Sequence, residues 1–173
     1  MRPLDVNPLK GKWLIDKPYL NKIDKSYEEL IIKEFKDNLS NKTEKVDCIL
    51  DFNNVMTFQN SNTKIEDVLG LYKEQLDYDY LITIELSLIK NITPEISYAP
   101  EKGLYRELNS KIYVYDLNSK KLIFEKEYFT SEKILMQKDR INIIGTKLEK
   151  FIFWTVEKMT KDFQEPHNWS LVF

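Results

Sequence analysis

Residues 79–90 read DYLITIELSLIK, and this stretch decides the fold. Tyr80, Ile82, Ile84, Leu86 and Leu88 alternate with Leu81, Thr83, Glu85 and Ser87. Successive strand side chains point to opposite faces, so the pattern predicts a strand with one dry face and one mixed face. Such a strand belongs inside a sheet that is covered mainly on one side.

Two further strands follow, over Ser110–Leu117 and Lys121–Phe129, around the polar turn Asn118-Ser119-Lys120. Ile112, Val114 and Asp116 face one way there, and Tyr113, Tyr115 and Leu117 the other. With residues 79–90 they make a three-strand meander. Beyond it, Ile141, Ile144, Leu148, Phe151, Ile152, Thr155, Met159 and Phe163 recur at helical spacing, which predicts a long helix over 139–163, stopped by Pro166. Trp169, Leu171 and Phe173 make the tail too apolar for a free end, and it is expected to dock on the body or add a strand.

Upstream, a burst at Lys12–Asp16 (KWLID) predicts a first strand closed by Pro18, and Tyr27, Leu30, Ile31, Phe35 and Leu39 mark a helix over 24–39. Ser26 and Glu29 have capping-box spacing at its start. Val46–Phe52 reads as a strand with Val46, Cys48, Leu50 and Phe52 on one face. After the Asn-rich loop at 53–62, Thr63 and Glu66 open a second helix with Ile65, Val68, Leu69, Tyr72 and Leu76 buried. Gly70 within it is explained by close packing against the sheet. The expectation is an α/β (α+β) fold with a mixed sheet of about five strands, in the order β-α-β-α-β-β-β-α. Residues 1–11 are a tail or linker, and 12–173 form a single domain.

The composition narrows function by exclusion. At 173 residues, with 42% hydrophobic and 31% charged residues, the chain builds one core under a solvated surface. A net charge of −2 lacks the basic footprint of non-specific nucleic-acid binding, so no nucleic-acid partner is expected. No apolar run reaches the length of a membrane span. Cys48 is the only cysteine, so no intrachain disulfide forms. The stretch MRPLDVNPLKGKW has no basic region followed by an apolar one, so it reads as no secretory signal; a protein without a signal and a mature part with its signal removed would look the same here.

Chemistry-bearing patterns are sparse. Four glycines, at 11, 70, 103 and 145, make no phosphate-cradling motif. One Cys and one His supply no zinc cluster, so neither metal nor cofactor is expected. Cys48 among apolar strand residues reads as a buried inert thiol, and His167 as a tail residue. A serine hydrolase is not expected, since there is no GxSxG and His167 is the only imidazole available as a base. Two carboxylate pairs, Asp47 with Asp51 and Asp77 with Asp79, stand at strand ends, where solvated edge charge outweighs a metal or acid–base pair. No catalytic residue is assigned, and the chain reads as a non-enzyme.

The 19-residue connection 91–109 is too long for an ordinary hairpin. It carries Tyr98, Tyr105 and Arg106, residue types that dominate interface hot spots, and Pro94 and Pro100 stiffen it. With the apolar tip Val55, Met56 and Phe58, it is the expected recognition surface for a protein partner.

Two segments also resemble a known group. Residues 76–86, LDYDYLITIEL, resemble the helix-to-strand passage A-D-Y-L-(I/L)-x-G-x-(V/L) of bacterial envelope domains of the TolB amino-terminal, LpoB and CsgG type. Residues 112–124, IYVYDLNSKKLIF, resemble their hairpin, in which an Asp begins the turn and the next strand ends near an aromatic. The resemblance covers 46–129. The family's strand glycine is replaced by Ile84 or Glu85 and its turn Thr-Gly by Ser119-Lys120, and Asp16-Lys17-Pro18 stands where a Pro-Phe is usual. The resemblance implies a non-enzymatic binding or assembly domain of a cell-envelope lipoprotein. It would be periplasmic, and tied to the outer membrane only through a lipid anchor outside this chain. The alternative is a cytoplasmic protein with a small-molecule or enzymatic pocket beneath the 91–109 loop.

Overall fold

The structure is a computed structural model, and it describes residues 10–52, 64–90, 104–136, 143–144 and 147–164. Seven strands and three helices are present among them: β1 (Lys12–Ile15), β2 (Tyr19–Asn21), α1 (Glu28–Ser40), β3 (Lys45–Cys48), α2 (Ile65–Leu76), β4 (Tyr80–Lys90), β5 (Leu104–Asp116), β6 (Lys121–Met136), β7 (Ile143–Ile144) and α3 (Leu148–Gln164). The sheet order is β3-β1-β4-β5-β6-β7, with β2 also beside β4. The first three elements of that order run parallel, and β4, β5 and β6 form the antiparallel meander expected from the sequence. This is the mixed α/β sheet the periodicity implies.

β4 fulfils its pattern. Ile82, Ile84, Leu86 and Leu88 join the larger core with α1 and α3, through Ile31, Phe35, Leu39, Phe151, Ile152, Val156 and Met159. Leu81 faces the other way, into a smaller core with Leu14, Val68, Leu69, Tyr72 and Tyr78 beneath α2. Burying each such side chain contributes about 2 kcal/mol, so the two-sided burial of β4 makes it the anchor of the fold. α2 covers only the β3-β1-β4 end of its face. Beyond it, Glu85, Asn109, Lys111, Tyr113, Glu125, Glu127 and Phe129 lie on a face that no described helix covers, matching the one-sided reading.

Several elements differ from the sequence reading. The chain does not leave the sheet at Pro18: β1 and β2 both pair β4, with one extra residue on their side between Ile15↔Ile82 and Tyr19↔Glu85. That bulge absorbs Asp16-Lys17-Pro18, where proline has no N–H for the ladder. Ser26 and Glu29 do not form the expected capping box: Asp24 caps a 3-10 turn at 25–27, its carboxylate accepting the Ser26 N–H at 2.8 Å, and α1 follows from Tyr27 with no side-chain cap bond. β3 stops at Cys48 because a 3-10 turn follows over Ile49–Asp51; Ile49 is buried and Leu50 is half exposed, reversing their expected sides. α2 begins at Ile65 with no side-chain cap bond at Lys64, and Ile65 itself is exposed.

The largest shift is at the last helix, which starts at Leu148 rather than 139. Ile143 and Ile144, β-branched residues, instead pair with Met136 and Leu135 as β7. The tail from 165 onward, with Trp169, Leu171 and Phe173, lies outside the described residues.

Candidate functional site

The richest polar cluster lies where the parallel strands begin. α2 ends on Asp77, which takes the left-handed conformation (φ 54°) and donates its N–H to the Lys73 carbonyl at 3.2 Å. That reversal sends Tyr78 beneath the sheet and delivers Asp79 to the start of β4. Asp79 accepts the Lys12 N–H at 3.0 Å and Lys73 Nζ at 3.2 Å, while Lys12 Nζ reaches Asp77 at 2.8 Å. Tyr78 donates its hydroxyl to Asp47 and accepts from Lys45 Nζ at 2.9 Å. Lys45 also pairs with Asp47 at 2.8 Å and sits 5.1 Å from the Tyr78 ring centre.

The electrostatics follow from these contacts. Burial works against the ionised form of Asp47, but hydrogen bonds from Lys45 and Tyr78 outweigh it and hold the carboxyl below its usual range. Asp79 is the same, with the Lys12 N–H and Lys73 overcoming burial. The Lys12 hydrogen bond lowers Asp77, and the Lys36 hydrogen bond lowers Asp51. Asp51 also accepts the Cys48 N–H at 3.0 Å, closing the 3-10 turn. Each carboxylate of the two sequence pairs therefore has its own cation and remains ionised at neutral pH. A group held so is a poor general acid and a poor base; these four residues tie strand and helix ends together. No three His, Cys, Asp or Glu converge on a metal position among the described residues.

The expected recognition residues are only partly described. Val55, Met56, Phe58 and Tyr98 lie outside the described residues, as does His167. Tyr105 and Arg106 do not belong to a loop: β5 begins at Leu104, so the 91–109 connection gives up its last six positions to the sheet. Tyr105 stands opposite Lys133, and Arg106 opposite Glu132. Arg106 is 9% exposed, donates to Glu132 at 3.2 Å and lies 5.6 Å from the Phe151 ring centre under α3. It is a fixed sheet residue, withdrawn from the surface by its ion pair. Cys48 is buried, its sulfur accepts the Leu50 N–H at 3.4 Å, and burial pushes its thiol pKa up. That is the inert thiol the sequence suggests.

What the sequence reading missed is the extent of the uncovered face and of β6, a 16-residue strand whose outer edge pairs, among the described residues, only with β7 at its far end. Phe129, at 58%, is the most exposed large apolar side chain there.

No protein-family model matches this sequence, and no curated protein does. The fold is nonetheless shared with solved structures. The lipoprotein GNA1162 from Neisseria meningitidis superposes with a TM-score of 0.52 at 10% identity, over 89% of this chain and 99% of that one. A homolog of neuraminyllactose-binding hemagglutinin from Helicobacter pylori superposes at 0.50 with 14% identity, over 97% and 91%. At such identities the likeness is one of fold. It agrees with a bacterial envelope domain and does not reach the TolB, LpoB or CsgG type in particular.

Proposed function

We propose that the chain is a non-enzymatic binding or assembly domain of a bacterial cell-envelope lipoprotein, and that it acts by recognising a protein partner on the periplasmic side of the outer membrane. The observation that carries this reading is the end-to-end likeness to a lipoprotein, which takes in almost the whole of that chain. The use of Asp47, Asp51, Asp77 and Asp79 as structural ties supports it, as do the helix-to-strand passage and hairpin motifs at 76–86 and 112–124. In this reading the recognition surface is the 91–103 connection with Tyr98, together with Val55, Met56 and Phe58. Arg106 supports the base of that connection from within the sheet.

Site-specific photo-crosslinking in bacterial cells tests the reading. A photoreactive residue at Tyr98 or Met56 is expected to capture one and the same envelope protein, identified by mass spectrometry. The same residue at Lys33, on the exposed side of α1, is expected to capture none. Equal capture from all three positions, or none from 98 and 56, refutes the proposed surface. Replacing residues 92–102 by a short Gly-Asn turn leaves β5 whole and is expected to remove capture without unfolding the domain.

A further inference from the structure

The outer face of α3 gathers one sign of charge around one aromatic ring. Lys147 opens the helix, its carbonyl accepting the Phe151 N–H at 3.1 Å. Lys147, Lys150, Trp154, Lys158 and Lys161 recur at steps of three and four, which puts them on a stripe about 80° wide. All of them are exposed, while Phe151, Ile152, Thr155, Val156 and Met159 between them are buried. Acid is scarce there. Glu157 lies at the margin of the stripe and is taken up by Lys161 at 2.6 Å, and the spacing puts Glu149 off it. The neighbouring helix α1 exposes Glu29, Lys33 and Asp37, of mixed sign, so the basic field belongs to α3. It stands in a chain whose net charge is −2.

Trp154 sits at the centre of the stripe. It is 45% exposed, the one large apolar side chain left open on α1 or α3 among the described residues. Helical side chains lean toward the amino terminus, and Lys150 Nζ stands 4.9 Å from the indole ring centre. Beside them an open groove is lined by Leu30, Phe153, Lys147, Glu149 and Lys150.

This combination selects an occupant. Lysines alone would suit any polyanion, but nucleic acid wants a wider basic footprint than one stripe on an otherwise acidic chain. An indole is amphipathic, and at a membrane boundary it lies at headgroup level while lysine stems cover apolar surface and their ammonium groups stay in water. The stripe is straight and about 21 Å long at 1.5 Å per residue, so a flat sheet of anionic headgroups meets it along its whole length. α3 spends its apolar face on the protein core, which leaves Trp154 as the group that enters the bilayer.

We propose that the outer face of α3 is a membrane-contact surface: Lys147, Lys150 and Lys158 meet anionic phospholipid headgroups, and Trp154 seats its ring among them. The proposal stands on α3 alone and does not rest on the partner surface at 91–103.

Vesicle co-sedimentation of the full chain tests it. The native sequence is expected to bind vesicles of phosphatidylcholine with about one-third phosphatidylglycerol, and to bind pure phosphatidylcholine at least about tenfold more weakly. Affinity for the anionic vesicles is expected to fall as salt is raised. Lys150→Glu/Lys158→Glu is expected to weaken binding about thirtyfold or more, and Trp154→Ala about tenfold. Lys64→Glu makes the same charge change at the start of α2, on the other face of the sheet, and is expected to leave binding within about twofold. Lipids brominated on their acyl chains are expected to quench indole fluorescence in the native chain, and Trp154→Phe is expected to lose that quenching. A native chain that ignores anionic vesicles, or binds both kinds alike, overturns the proposal. So does a double charge variant that binds as the native chain does while circular dichroism shows it folded, or quenching that Trp154→Phe leaves unchanged. A shift of duplex DNA without vesicle binding would assign the face to nucleic acid and overturn it as well.

Discussion

Arg106 and Glu132 stand directly opposite each other across β5 and β6, on the face that packs beneath α3, and their side chains meet at 3.2 Å. The guanidinium and the carboxylate are only 11% and 19% exposed, so the pair meets largely out of solvent, where removing one partner weakens the compensation of the other. Glu132→Leu leaves the arginine charge under Phe151 and is expected to cost about 2 kcal/mol in urea denaturation at fixed protein concentration. Arg106→Met/Glu132→Leu replaces both charges with apolar volume and is expected to return to within about 1 kcal/mol of the native value. A double variant weaker than Glu132→Leu alone would show that the pair is not the unit of compensation.

The same pair explains where the sequence is hard to read. Leu108, Ser110, Ile112 and Val114 alternate on the core face of β5, but the next inward position toward the amino terminus is Arg106. On β6, Phe124 and Tyr128 are core, and the next inward positions beyond them are Thr130 and Glu132. A charge on a buried face breaks a hydrophobic alternation: in β5 Arg106 ends it, and in β6 Lys126 already interrupts it between Phe124 and Tyr128 before Glu132 ends it. Each strand therefore extends past its expected range, by six residues at the start of β5 and seven at the end of β6. β4, whose alternation has no charge on the inward face, is legible almost to the residue. The acid clusters were legible as residues but not as partners: that Asp47 answers Tyr78 and Lys45 depends on the left-handed turn at Asp77, which its sequence neighbours do not announce.

The central strand gives a sharp stability test. Leu81 and Ile82 are fully buried on opposite faces of β4. Ile82→Ala and Leu81→Ala are each expected to cost about 3 kcal/mol in chemical denaturation, since both remove packed volume. Aspartate at either position buries an unpaired charge and is expected to abolish soluble expression. A soluble, cooperatively folding Ile82→Asp protein would contradict the strand assignment.

Gly70 and Lys120 couple α2 to the β5–β6 hairpin. A side-chain carbon at Gly70 would stand 2.8 Å from Lys120 Nζ and 3.3 Å from its Cε, so the neighbour that keeps this position small is the flexible end of a lysine rather than sheet backbone. Lys120 itself has φ 56°, a conformation that glycine adopts without strain. Gly70→Ala alone is expected to be near neutral, because helix propensity gains what displacement of the lysine loses. Gly70→Ala/Lys120→Gly relieves both constraints and is expected to stabilise the fold by about 1 kcal/mol, read as a rise in Tm. A fall in Tm for the double variant would mean that Lys120 makes a contact worth more than the strain it carries.

The titrating groups predict a plateau of stability with two different edges. Asp51 and Asp77, lowered by Lys36 and Lys12, and Asp47 and Asp79, lowered by their hydrogen bonds despite burial, all bind protons less tightly folded than unfolded. Their contribution is complete above the ordinary carboxylate range and is lost as pH falls through the folded values, so Tm should drop below about pH 4. At the alkaline edge Tyr115 acts in the opposite sense. Burial, reinforced by Tyr113 and Glu125, pushes its phenol from 10.0 up to about 12. Above pH 10 the unfolded chain ionises this group while the folded one keeps its proton, and stability falls as pH rises toward 12. Tyr115→Phe is therefore expected to flatten the alkaline fall in Tm while leaving the acid edge where it was. Tyrosinate absorbance in the near ultraviolet supplies the second reading, since the native protein should lose one late-titrating phenol in the variant. An alkaline edge unchanged by Tyr115→Phe would assign the loss to other phenols and remove Tyr115 as its source.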